Sequence, residues 1–265
     1  MLPSARAVKT TAKAQLKNQW PNCICVGLIP VAAFLFLILF GILISIMVPK
    51  NVLAIPFIFI LVVLTVFLSI PLIQGCIRWF WFFSIEKPLG ISNVFYYYSE
   101  WNLVYKTIVL YTLTIWNLML KALLCYIPLI ISYLLTNQNF YELIGISAPL
   151  IIPVLWPIYY LLFAVCSVLF IFVAQNNLFA LIVMVIDEDL DCIEIIILAK
   201  KLLKGKNGSA FLLFFSFFGW MLINFLGIPL VFTIPYMLMA YAVFAKFLVF
   251  NHRYEQGILG EKPLI

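Results

Sequence analysis

Between Cys23 and Val48 the chain is a long apolar run without a charged side chain. About 20 consecutive apolar residues cross the hydrocarbon core of a bilayer, so this one stretch already rules out most soluble architectures. Comparable runs follow at Val52–Phe83, Leu103–Leu135, Ile144–Val173, Ala210–Leu226 and Val231–Phe250. In lipid every backbone N–H and C=O must find a partner within the protein, and runs this long do so as helices. Composition agrees: 66% of the 265 residues are apolar and 10% are charged, where a soluble domain carries about a quarter charged residues. The expected fold is therefore all-α, a polytopic membrane protein of six transmembrane helices forming a single integral domain over residues 1–265.

Short amphipathic stretches stand beside the apolar runs. Arg6, Lys9, Lys13 and Lys17 recur at spacings of three and four, while Val8, Ala12, Leu16 and Trp20 make a second stripe. Pro3-Ser4 marks the helix start. A basic amphipathic helix ending in Trp reads as lying on an anionic membrane surface. The apolar run behind it exceeds a signal-peptide core of roughly 7–15 residues, so no cleavage is expected. A second short helix, capped by Ser92 and running to Trp101, is rich in tyrosine (Tyr96, Tyr97, Tyr98). The third is the most sharply written. Asp187, Glu188, Asp189 and Asp191 open it, Lys200, Lys201 and Lys204 close it, and Gly205 ends it. Acids at the start and cations at the end complement the helix dipole.

The cations set the expected orientation. Arg6, Lys9, Lys13 and Lys17 precede the first run, Arg78, Lys87 and Lys106 flank the second connection, Lys200, Lys201, Lys204 and Lys206 the fourth, and Lys246, Arg253 and Lys262 close the chain. The intervening loops hold only Lys50. By the positive-inside rule this places both termini, and the amphipathic helices, on the cytoplasmic face of the membrane. Surface helix plus hairpin recurs at 3–84, 91–173 and 189–250, and Glu86-Lys-Pro-Leu89 returns as Glu261-Lys-Pro-Leu264, so a threefold repeat is a live reading.

Little in the chain points to chemistry. His252 is the only histidine, which excludes HExxH zinc sites and most histidine acid–base pairs. Neither GxxxxGK[ST] nor GxGxxG occurs, so no nucleotide cofactor is expected. No basic run is interleaved with base-reading polar residues, which argues against nucleic-acid binding. The six cysteines sit in or beside apolar segments and read as small hydrophobes. The acidic cluster could hold a divalent cation, with a helix start as the plainer reading. Ser216 lies among phenylalanines with no base to activate it. Inside the spans, Lys121 carries a cost of about 2.5–3.5 kcal/mol on insertion scales and calls for a partner or cavity. Asn117, one turn before it, and Asn224 complete a candidate polar site, with Gln175, Asn176 and Asn177 weaker members. The alternative is a lysine snorkelling from an over-long helix.

The segments Ala199-Lys-Lys-Leu-Leu-Lys-Gly205, Phe214-Phe-Ser-Phe-Phe-Gly-Trp220 and Pro235-Tyr236, with the opening Arg6…Ala12-Lys13…Leu16…Trp20 pattern, resemble the DUF975 family of uncharacterised bacterial integral membrane proteins. The family's Asp-Asn-Pro-like start is absent at the acidic cluster, and its "PGI" appears as Ile127-Pro128-Leu129. The resemblance implies a membrane protein and adds no activity. The functional expectation is non-enzymatic: organisation of lipid, chiefly anionic lipid, or of a membrane protein partner, through Arg6, Lys9, Lys13, Lys17, Trp20, Lys200, Lys201 and Lys204. The alternative is a transporter, or a transport-complex subunit, built around Asn117, Lys121 and Asn224.

Overall fold

A computed structural model describes residues 3–47, 54–136, 152–223 and 229–255. The described residues are all-α: α1 (Ala5–Leu16), α2 (Trp20–Met47), α3 (Ala54–Ser84), a 3₁₀ helix (Ile91–Tyr98), α4 (Trp101–Thr136), α5 (Ile152–Ile186), α6 (Cys192–Leu203), α7 (Asn207–Phe215), α8 (Phe218–Ile223) and α9 (Leu230–Glu255). Among the described residues five helices contain stretches long and apolar enough to cross a membrane: Trp20–Leu43, Val63–Ser84, Trp101–Leu134, Pro157–Ile186 and Leu230–Tyr254.

The sixth expected span is not one helix. Over Ala210–Leu226 the chain forms α7, a turn at Ser216-Phe217, and α8, with residues 224–228 outside the described set. The reason lies in two hydrogen bonds at Ser216, one of them from a distant part of the chain. The Ser216 hydroxyl donates back to the Leu213 carbonyl at 2.6 Å, and the Ser216 carbonyl accepts from Lys9 Nζ at 2.9 Å. A donor from outside the helix thus takes a carbonyl that an unbroken helix would use itself. By contrast, Gln175-Asn176-Asn177 does not interrupt α5, which runs on to Ile186. α9 continues past Phe250, with His252 and Arg253 in its last turn.

α4 and α5 form the most extensive pair, and their register is antiparallel. The Tyr126 and Ser167 hydroxyls are 3.1 Å apart, and the rings of Tyr133 and Tyr159 6.3 Å. Their outer faces, with that of α2, expose large apolar side chains such as Phe36, Leu39, Leu124 and Leu161. So much exposed apolar surface calls for a covering, and lipid is the covering that matches this composition.

All three short helices bury their apolar stripes in the protein, where the sequence suggested a lipid surface. Val8, Ala12 and Leu16 of α1 are fully buried, and α1 packs mainly along α9. Ile195, Ala199, Leu202 and Leu203 of α6 are buried in the same way, with α5 as their chief neighbour. The second element is 3₁₀, not α, and Gly90 rather than Ser92 is its N-cap. It lies across α3 at Gly75, where a Cβ would stand 1.8 Å from the Val94 carbonyl oxygen. Only glycine permits that approach.

Candidate functional site

The acidic cluster opens out into separate roles. Asp191 is the N-cap of α6, and its backbone N–H donates to Glu194 Oε2 at 3.2 Å, half of a capping box. Gly205, at φ +73°, follows α6 as the left-handed terminator that glycine suits. Glu188 does something else. Its carboxylate pairs with Arg78 near the end of α3 and accepts from Tyr96 Oη at 3.0 Å and Tyr97 Oη at 3.4 Å. Its carbonyl accepts from Lys106 Nζ of α4. The Arg78 guanidinium also lies 3.5 Å from the Tyr96 ring centroid and 5.1 Å from that of Phe82. Four segments therefore meet at one residue, three of them at its carboxylate. Burial, then the hydrogen bond to Glu188, holds Tyr96 above its ordinary phenol value; Tyr97 is raised by burial and by the Glu188 charge. No group of three or more metal-ligating side chains occurs among the described residues.

A second junction joins the ends of the chain. The Ser84 carbonyl accepts from Gln15 Nε2 and from Lys246 Nζ, each at 3.2 Å. Elsewhere α1, the α7–α8 turn and α9 form a cleft of about 300 Å³ lined by Arg6, Lys9, Thr10, Lys13, Ser216 and Tyr236. Tyr236 Oη donates to the Lys9 carbonyl at 3.3 Å. Lys9 Nζ, beyond its bond to Ser216, lies 4.4 Å from the Phe217 ring centroid, and burial holds its ammonium below the ordinary lysine value. Phe217 in turn meets Tyr236 edge-on at 5.2 Å. Trp20 packs edge-on against Phe232 at 6.0 Å.

Arg6, Lys9 and Lys13 thus share one recess. Lys17, Lys200, Lys201 and Lys204 are exposed and line no part of it. Thr10, Ser216 and Tyr236 had no assigned place in this site from the sequence, because their convergence depends on how α1, the turn and α9 pack. The one hint was the pairing of a "SFFGW" segment with a downstream "PY".

The intramembrane lysine has a partner different from the expected one. Lys121 Nζ donates to Asn177 Oδ1 at 2.8 Å and lies 3.4 Å from the Val173 carbonyl oxygen. Asn177 Nδ2 donates to the Thr114 carbonyl at 3.2 Å. No hydrogen bond joins Lys121 to Asn117, because the lysine side chain reaches across to α5 instead of back along α4. Asn224 lies outside the described residues. Deeper in the same helix layer, Tyr111 Oη donates to Gln74 Oε1 at 3.2 Å, and Gln74 Nε2 donates to the Leu181 carbonyl at 2.8 Å. Gln74 was legible only as a lone amide in an apolar run.

This is an all-α protein with five helices among the described residues long and apolar enough to cross a membrane, held together by an ion pair and a shared carbonyl. The family described as "Protein of unknown function (DUF975)" matches residues 1–250, and the chain belongs to it. No curated protein matches, and no solved structure does.

Proposed function

We propose that the protein is a non-enzymatic, multi-pass protein of the bacterial cell membrane that organises anionic lipid, or a partner membrane protein, at its cytoplasmic face. One observation carries this reading. Arg6, Lys13 and Lys17 at α1, and Lys200, Lys201 and Lys204 at α6, stay exposed although both helices bury apolar residues in the protein. Among the described residues no acidic side chain pairs with Arg6, Lys13, Lys17, Lys200, Lys201 or Lys204. Each such lysine or arginine near an anionic leaflet contributes about 1 kcal/mol of attraction. On α6 the exposed face runs from Ile193 and Ile197 to the lysines, an order that suits an apolar–polar boundary.

In this reading the chain crosses the membrane six times, with the broken α7–α8 segment as one crossing and both termini cytoplasmic. The α3, α4 and α5 ends gathered at Glu188, and the α1 and α9 contacts at Ser84, support this arrangement. Short helix plus hairpin then recurs three times. The test is the lipid shell of the protein reconstituted in mixed phosphatidylcholine and phosphatidylglycerol nanodiscs. Phosphatidylglycerol should be enriched around the wild type, and the enrichment should be lost when Lys17, Lys200, Lys201 and Lys204 are all replaced by glutamine. Unchanged enrichment sinks the reading.

Transport is the second reading, and the Lys121–Asn177 contact favours it: a cation held between two helices is a common mark of a substrate path. Lys121→Met would then abolish an uptake or export phenotype while the protein still accumulates in the membrane. An intact phenotype removes this reading.

A further inference from the structure

We infer that the cleft between α1, the α7–α8 turn and Tyr236 is a stoichiometric binding site for a phosphate group, best matched by a phosphate monoester. The inference rests on the lipid-organising reading for its membrane setting and adds a defined pocket to it.

Three cations line a recess of about 300 Å³, and no acidic side chain among the described residues pairs with them. Arg6, Lys9 and Lys13 stand on one face of α1, within about 10 Å of helix rise. Arg6 and Lys13 are exposed and Lys9 is half-buried; like charges gathered on one face repel one another, and an anion is the partner that offsets the repulsion. Donor capacity is available. An ammonium has three N–H donors and a guanidinium five, and Lys9 spends one donor on the Ser216 carbonyl. The described contacts assign no hydrogen bond to the side chains of Arg6 or Lys13. The remaining wall is polar and well held: the Thr10 hydroxyl donates to the Ala7 carbonyl at 2.8 Å and the Tyr236 hydroxyl to the Lys9 carbonyl at 3.3 Å, which leaves both oxygens as acceptors for a protonated phosphate.

A fork-shaped guanidinium and two ammonium groups match phosphate oxygens closely. Charge selects among phosphates. A monoester carries about −1.5 to −2 near neutral pH, against about −1 for a diester, and so offsets more of the three positive charges. The same headgroup chemistry occurs in phosphatidate and in soluble glycerol 3-phosphate.

The test uses the full chain in a neutral detergent, titrated with phosphatidate, phosphatidylglycerol and phosphatidylcholine and followed by native mass spectrometry. A calorimetric titration with glycerol 3-phosphate runs beside it. Wild type should retain one phosphatidate in preference to the diester lipid. Arg6→Gln with Lys13→Gln, which removes no described hydrogen bond, should weaken retention at least about ten-fold, as loss of charge-assisted hydrogen bonds requires. Lys9→Gln keeps a donor for Ser216 and should weaken it less. Saturable glycerol 3-phosphate binding that the double variant loses, without lipid retention, keeps the site and assigns it to a soluble ester. Binding that the double variant retains in full, or no saturable binding of any phosphate, overturns the inference. Graded uptake of anionic lipid, sensitive only to Lys17, Lys200, Lys201 and Lys204, overturns the cleft and leaves the organising role standing. One retained phosphatidate without a lipid-shell preference does the reverse.

Discussion

Glu188 does more than its place in an acidic run would suggest. Its partner Arg78 has a side chain 14% exposed, and Glu188 itself is 26% exposed, so the pair is partly withdrawn from water. Removing one member of such a pair leaves the other uncompensated. Arg78→Met should destabilise the protein by about 3 kcal/mol, the lower end of the usual range for a buried pair because Glu188 keeps some solvent. Arg78→Met with Glu188→Met should cost less than the two single changes added together, as thermal unfolding in mild detergent would reveal. A simple sum would mean that the two side chains are not coupled. Tyr96 and Tyr97 give the pair a pH dependence. Both phenols titrate above their unfolded value of 10, so the folded state holds their protons longer. Their contribution is whole below about pH 10 and disappears as pH rises through the folded values. Replacing both by phenylalanine should flatten the alkaline fall in stability, and an identical fall in the variant would rule out this source. The sequence could not supply the pair: Arg78 and Glu188 are 110 residues apart, and nothing local links them.

Helix starts and stops were the most legible part of the chain because they obey local chemistry. Ser4 caps α1 by accepting from the Ala7 N–H at 3.2 Å, and Asp191 and Gly205 bound α6 and its exit as their residue types suggest. What the sequence concealed was the surface each short helix faces. A stripe such as Val8, Ala12 and Leu16 has the same spacing whether lipid or protein covers it, and only packing decides. The 3₁₀ geometry of 91–98 was hidden for a similar reason, since it depends on a crossing partner that carries no side chain. That crossing is testable. Gly75→Ala should cost about 3 kcal/mol or more, because the new Cβ meets backbone at Val94 and neither helix can yield by rotating a side chain. Gly205→Ala should cost less, roughly 1 kcal/mol, since nothing lies within 4 Å of the added Cβ and only the positive φ opposes it. Equal effects at the two glycines would mean that the close approach at Gly75 contributes little.

Over the whole molecule, the membrane class followed from composition alone, whereas the number of crossings turns on one broken segment. The α7–α8 stretch is hydrophobic enough for a span, yet Lys9 holds its turn from outside, a contact between residues 9 and 216 that no window of sequence contains. Crossing number is read from the two ends of the chain. Reporter fusions at the N- and C-termini should both report the cytoplasm for six crossings; signals from opposite sides would leave five. The Ser84 junction bears on the order in which this architecture is completed. A ribosome delivers Gln15 early and Lys246 near the end, and both bond to a single carbonyl at the foot of α3. Tyr236 and the Ser216 turn, which complete the seat of α1, also emerge late. During synthesis α1 therefore waits, its apolar stripe unburied, until α9 has been translated. An early helix settles late, and a chain cut short before α9 exposes that stripe to whatever surveys unfinished membrane proteins.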